Sequence, residues 1–267
     1  MNWTIPVFIV FCLGVVGVVE LCWRRQRRGI AVAIALAGIV IALLTISARS
    51  GKPDAGSQMA LEDIPVWRVI REQEPALYSQ LNRRAQELEQ AGESQQRIID
   101  LLQPQFNTLM SQRLQEAPDD NVVAWMRASI EQTAQIQKVS GDACFRYQFP
   151  GVKGGIDVTQ YLTPEQMQYR FEVDARMMRA ARGAGRHKVS EQEREQAHAA
   201  LEPVVKHMQK LYGQDIALMA APQQAQGKET LVCDMVLALW RQVLALPPEK
   251  AAAIIRLTLS MGATPSR

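Results

Sequence analysis

Residues 231–246 read LVCDMVLALWRQVLAL, and only Asp234, Arg241 and Gln242 interrupt this apolar run. In a helix of 3.6 residues per turn, the remaining side chains cover nearly every face. A helix that is apolar all round is either surrounded by other helices or spans a membrane. This run is shorter than the roughly 20 residues of a membrane span and holds two charges. The sequence therefore predicts a central helix that other helices surround.

The flanking sequence supplies those helices. After Pro247 and Pro248, residues 251–261 form a second apolar segment. Upstream, apolar side chains recur at helical spacing in five stretches, at residues 64–90, 93–116, 119–139, 163–181 and 190–212. Pro75 should kink or restart the first of these. We predict an irregular all-α domain of six to eight helices, built around residues 228–261.

Several helix ends are marked by capping residues. Thr163 followed by Pro164 is a strong helix start. Ser190 with Glu193 three residues later matches a capping box. Gly92 is placed to end the first helical segment, and residues 118–120 to supply the N-cap of the third helix.

Residues 140–162 do not show helical spacing. Phe145, Tyr147 and Phe149 alternate with polar residues, which is the period of a strand. A stretch this short cannot form a sheet by itself. The prediction here is an ordered loop, held by Cys144 and its aromatic side chains.

Two further apolar runs occupy the start of the chain, at residues 5–23 and 30–47. Glu20 is the single charged residue within them. The loop between the runs carries four arginines, Arg24, Arg25, Arg27 and Arg28. Each run has about the length that crosses a bilayer core of roughly 30 Å as a helix. We predict a transmembrane hairpin at residues 1–48 that binds the membrane through two spans.

The arginines of the hairpin loop predict its orientation. Lys and Arg in short loops favour the cytoplasmic side of a membrane, and only Arg49 and Lys52 follow the second run closely. In a bacterium this topology is that of an inner-membrane protein, with most of the chain in the periplasm. A polar linker at residues 49–63 would join the hairpin to a helical domain at residues 64–267.

The charge distribution excludes one class of partner. The chain has 30 Lys and Arg against 27 Asp and Glu, a formal net charge of +3. The anchor accounts for that whole surplus, with its four loop arginines and Glu20. A nucleic-acid-binding domain needs a dense basic surface. We therefore expect no nucleic-acid partner for residues 49–267, which are neutral overall.

Cys144 and Cys233 are the two cysteines outside the predicted hairpin. In an exported domain, such a pair is a candidate disulfide. The bond would close a loop of about ninety residues and stabilise the fold by about 4–5 kcal/mol in the chain-entropy model. The alternative is two unpaired buried thiols.

No motif predicts a catalytic, cofactor-binding or metal site. Glu191, Glu195, His198 and Glu202 fall on one helical face. Carboxylate-bridged di-iron sites need two Glu-x-x-His pairs, and Glu195 with His198 forms the only one. A nucleophile elbow is also missing. We expect no metal and no cofactor, and we interpret this face as solvated surface.

A cationic cluster surrounds the glycine loop near residue 184. It consists of Arg179, Arg182, Arg186, His187 and Lys188. Such a cluster suits lipid headgroups or an acidic partner. The alternative is a helix C-terminus whose cations stabilise the helix dipole.

Together these features favour a non-catalytic inner-membrane protein whose periplasmic domain binds another protein. An envelope assembly factor and an immunity-type inhibitor both fit this description. Two other classes stay open. One is an envelope hydrolase with an unmarked carboxylate pair, which would need a cleft with two close acidic side chains. The other is a lipid or amphiphile carrier, which would need an apolar cavity between helices.

Overall fold

The computed structural model describes residues 64–93 and 95–262. In this part of the chain the regular structure is helical throughout, without a strand, so the predicted all-α class is confirmed. None of the helices among these residues has both the length and the hydropathy of a membrane span. The predicted hairpin at 1–48 and the linker at 49–63 lie outside the described residues.

Ten α-helices occur in the described residues. They are α1 Pro65–Gln73, α2 Pro75–Gln90, α3 Gln95–Glu116, α4 Asp119–Val139, α5 Gly141–Gln148, α6 Pro150–Lys153, α7 Pro164–Ala180, α8 Glu191–Tyr212, α9 Glu229–Leu244 and α10 Pro248–Gly262. Short 3-10 helices add Val158–Gln160, Gly213–Met219 and Pro222–Gln224. Pro75 restarts the chain as α2, as predicted, and α5 and α6 raise the number above the expected six to eight.

The core lies around α4, α9 and α10. Helix α4 packs against α5, α7, α9 and α10, while α9 also contacts α8 and α5. Trp125 of α4 and Trp240 of α9 are buried, and so is every residue from 251 to 257 of α10. The apolar run at 231–246 is therefore largely buried, but Asp234, Arg241 and Ala245 form an exposed stripe, so other helices do not surround α9 completely, and α4 shares its central position.

The prediction of a loop at residues 140–162 is wrong, because the first half of this segment is helical. Ser140 caps α5 by accepting a hydrogen bond from the Ala143 N–H at 3.1 Å. Helix α5 is buried on most of its faces, including Cys144, Tyr147 and Gln148. A helix covered on most of its faces shows no narrow apolar stripe, so the side-chain period did not reveal it.

The predicted caps form with two exceptions. The Thr163 hydroxyl accepts from the Gln166 N–H at 3.3 Å, and the Gln166 side chain accepts from the Thr163 N–H at 2.8 Å. Ser190 likewise accepts from the Glu193 N–H at 3.1 Å, but the Glu193 carboxylate bonds elsewhere. The N-cap position of α4 is Pro118, whose side chain makes no capping hydrogen bond. Asp119 lies in the first turn of that helix.

Cys144 and Cys233 lie at disulfide distance, as predicted. Their Cα atoms are 6.1 Å apart, within the usual range for a disulfide. Both side chains are fully buried. The pair joins α5 to α9 across a sequence separation of 89 residues.

Candidate functional site

A groove of about 790 Å³ lies along α8 and α10 and reaches the start of α4. Its floor is formed by Ala197, Ala200, Leu246 and Ala253, which are buried or half-buried, and the exposed Ala199 and Pro203 lie at its edge. Its charged end and rim consist of Asp119, His187, Glu193, Gln196, Glu249 and Lys250. We call this feature the α8–α10 groove. The alanines create it, because their short side chains leave space between two helices that pack closely elsewhere.

Arg256 supports the charged end of the groove from below. Its side chain is about 1% exposed and makes four hydrogen bonds. The acceptors are the Leu114 carbonyl at 3.4 Å, the Ala117 carbonyl at 2.7 Å, Asp119 Oδ1 at 2.7 Å and Glu193 Oε1 at 3.0 Å. A buried guanidinium is tolerated only with partners of this kind. One buried cation thus holds two carboxylates of the groove in place.

The two carboxylates differ in what remains available to a ligand. Both oxygens of Glu193 are engaged, since Oε2 lies 2.7 Å from His187 Nε2. The backbone N–H of His187 donates to the Glu116 carbonyl at 2.8 Å, which fixes this residue beside the end of α3. Asp119 binds Arg256 through Oδ1 alone, and its side chain is 33% exposed. Asp119 is therefore the acceptor that the groove presents to a ligand.

Asp119 and Glu193 are not arranged like the carboxylate pair of a glycosidase. A glycosidase places a proton-donating carboxyl group opposite a carboxylate, with the substrate between them. Here Asp119 and Glu193 both accept hydrogen bonds from the same guanidinium, so neither is placed to donate a proton. Among the described residues, no group of His, Cys, Asp or Glu side chains is arranged to hold a metal ion. The groove offers an acceptor for a cation beside an apolar surface.

The predicted cationic cluster forms ion pairs with α1 and α3. Arg186 contacts Glu116 at 2.7 Å, and Arg182 contacts Glu116 at 3.2 Å and Glu74 at 3.3 Å. Arg179 lies 3.8 Å from Glu72. Carboxylates within the protein therefore compensate these three arginines.

The remaining members of the cluster divide between two surroundings. His187 turns into the α8–α10 groove, whereas Lys188 is exposed. An anion or headgroup patch at Arg179, Arg182, Arg186 and Lys188 stays a prediction. Its electrostatic basis is weaker than the sequence suggests, because the neighbouring carboxylates offset part of its charge.

A second buried arginine extends this ion-pair network. Arg113 donates to Glu74 at 2.6 Å, Gln73 at 2.8 Å and the Met178 carbonyl at 3.3 Å. Burial lowers the pKa of Arg113, and the nearby Arg182 charge adds to this effect, while Glu74 opposes it. The network fastens α1 to α3 and α7.

A third buried arginine lies between α4 and α7. Arg170 contacts Asp174 at 2.9 Å and Ser129 at 2.6 Å, and it lies 5.1 Å from the ring centroid of Trp125. Burial raises the pKa of the Asp174 carboxyl, and the Arg170 charge opposes that rise. Both side chains are about 1% exposed, so this pair is a structural element of the core.

The other residues noted in the sequence lie away from the groove. The acidic face of α8, with Glu191, Glu195, His198 and Glu202, is exposed. His198 is displaced from Ala199 by about 100° around the helix, on the side away from the groove. The loop arginines of the hairpin, Arg24, Arg25, Arg27 and Arg28, are outside the described residues.

Sequence reasoning missed Asp119, Glu193 and Arg256 as members of one site. The single signal was Glu193 at the N3 position of a capping box, where its role was interpreted as local. No protein-family model, no curated protein and no solved structure matches this chain. The candidate site therefore rests on its geometry and chemistry.

Proposed function

We propose that this chain is a membrane-anchored, non-catalytic protein whose helical domain binds a segment of another protein in the α8–α10 groove. The observation that carries the proposal is the groove itself, about 790 Å³ in volume, with an apolar floor and charged side chains along its lining. Ligand pockets of proteins commonly have volumes of roughly 300–1,000 Å³. An apolar face with a few polar groups is the form that helix-in-groove recognition uses.

The inner membrane and the periplasm remain part of this proposal. The two apolar runs and the arginine-rich loop support the anchor and its orientation. The Cys144–Cys233 pair supports export, because disulfides form and persist in the oxidising periplasm. An envelope assembly factor or an immunity-type inhibitor would have this combination of anchor, disulfide and binding groove.

Site-specific photocrosslinking tests where the partner binds. A photoreactive phenylalanine derivative at Ala199, which is exposed in the groove, should give a discrete protein adduct in intact membranes. The same residue at His198, also exposed but facing away, is the matched control. We expect the adduct from position 199 alone, with the crosslink mapped to one segment of the partner by mass spectrometry.

Two outcomes would contradict the proposal. Equal adducts at both positions would mean that the groove is not the binding site. Adducts of lipid mass at position 199, without protein, would favour the amphiphile carrier instead.

A further inference from the structure

We infer that the segment bound in the α8–α10 groove carries a lysine or arginine whose cationic head contacts Asp119 and whose aliphatic stem lies on the alanine floor. This inference rests on the proposed function and specifies the chemistry of the partner. Its occupant is a segment of a partner protein with an apolar face and one basic side chain.

The charges of the groove favour a cation. Its wall presents three carboxylates, Asp119, Glu193 and Glu249, against the single ammonium of Lys250. The buried Arg256 adds one positive charge below them. The groove therefore keeps an excess of negative charge, and a basic side chain complements it.

The geometry selects Asp119 as the contact point. Arg256 engages Oδ1, and the other oxygen has no ion-pair partner in the described part of the chain. The Ala117 and Leu114 carbonyls hold the Arg256 guanidinium in turn. The carboxylate is thus held in position before the ligand arrives, which lowers the entropy cost of binding. A bond between a carboxylate and a cationic donor is among the strongest hydrogen bonds that proteins make.

The apolar floor matches the rest of the same side chain. Lys and Arg bury their methylene stems on apolar surface while their charged heads contact polar groups. Ala197, Ala200 and Ala253 provide such a surface in the groove that ends at Asp119. An acidic side chain would meet Asp119 and Glu249 with like charge. A purely apolar one would leave the second carboxylate oxygen of Asp119 without a donor.

Selection from a random peptide library tests this chemistry directly. The full-length chain in lipid nanodiscs is used to select displayed random peptides, and empty nanodiscs remove lipid binders. Ala199→Trp fills the groove and identifies the peptides that bind there. His198→Trp is its matched control on the other side of α8. Some peptides should bind the wild type and His198→Trp but not Ala199→Trp. We expect these peptides to be enriched in Lys and Arg.

Charge-removal variants then identify the contact. Asp119→Asn should weaken a selected peptide about tenfold, the loss expected when one charge-assisted bond is removed. Replacing the peptide's arginine with citrulline, its uncharged isostere, should cause a similar loss. Since Asp119→Asn also removes a charge partner of Arg256, Glu249→Gln on the exposed rim gives a second measurement, with a smaller expected loss. Glu202→Gln, on the opposite face of α8, should leave affinity unchanged.

The two kinds of failure separate the inference from the proposed function. Groove-dependent peptides without basic residues, or equal binding of the citrulline peptide, would overturn the inference and leave the proposed function standing. If Ala199→Trp excluded no peptide, both would be rejected.

Discussion

Three arginines, Arg113, Arg170 and Arg256, are almost fully buried, and each forms an ion pair with a carboxylate. Removing one partner of a buried ion pair typically costs about 3–5 kcal/mol, because the other charge stays buried. These contacts define which helices lie side by side. Arg256 does this while it also shapes the candidate site.

Tyr147 provides a pH-dependent prediction at the same scale. Its hydroxyl donates to Gln132 Oε1 at 3.1 Å, and burial raises the pKa of Tyr147 to about 12. The neutral form is therefore favoured in the folded state. The preference of the folded state for the neutral Tyr147 hydroxyl costs no stability below about pH 10. Above that pH the unfolded state ionises first, so the folded state loses stability as the pH rises towards 12. At about pH 11.5 we expect a loss of about 2 kcal/mol in the free energy of unfolding.

The variant Tyr147→Phe isolates this effect from other alkaline titrations. Near pH 7 it should be less stable than the wild type by about 1 kcal/mol, because Gln132 loses its donor. That difference should shrink or reverse between about pH 9 and about pH 11.5. Urea unfolding at the two pH values measures it, and an unchanged difference would argue against the raised pKa.

At the scale of elements, local capping rules hold until a buried charge competes with them. Thr163 and Gln166 complete their capping box at the start of α7. At Ser190 the carboxylate of Glu193 binds Arg256 and His187 instead. A bond to a buried cation stabilises more than a second bond to an exposed backbone N–H. This competition turns a helix-start residue into part of the groove.

The Cys144–Cys233 pair joins α5 to α9, and it predicts that the stability of the protein depends on reductant. In the chain-entropy model, a bond across 89 residues contributes about 4–5 kcal/mol. Reductant should lower the urea midpoint of the full-length protein accordingly. Cys144→Ala with Cys233→Ala is the control, since alanine fits this buried apolar site. Its midpoint should be low and independent of reductant. A wild type that is indifferent to reductant would contradict the prediction.

At the scale of the whole molecule, residues 1–48 carry the whole net charge and residues 49–267 are neutral overall. The proposed topology follows from this asymmetry. Alkaline phosphatase fused after Arg267 should be active, because that enzyme acquires its disulfides only in the periplasm.

Replacing the four loop arginines with glutamine should reduce the activity of the fusion, since it removes the positive charge that orients the hairpin. Arg49→Gln with Lys52→Gln is the control and should preserve activity. Two results together would exclude the periplasmic assignment. The phosphatase fusion would be inactive, and a reporter that fluoresces only in the cytoplasm would be bright when fused after Arg267.

The sequence by itself determined the all-α class, the restart at Pro75 and the starts of α7 and α8. These features depend on bonds between residues three or four positions apart, so the local pattern contains them. It also identified the cysteine pair, because few cysteines were available. Helix α5 escaped this reasoning, since its burial on most faces removes the amphipathic period.

Only the tertiary structure decided the candidate site. Arg256 meets Glu193 across 63 residues, Asp119 across 137 and the Leu114 carbonyl across 142. An amphipathic pattern states that a helix buries one face, but it does not state which helix covers that face. The groove exists because α8 and α10 pack together with alanines at their contact. The identity of that contact depends on the fold as a whole.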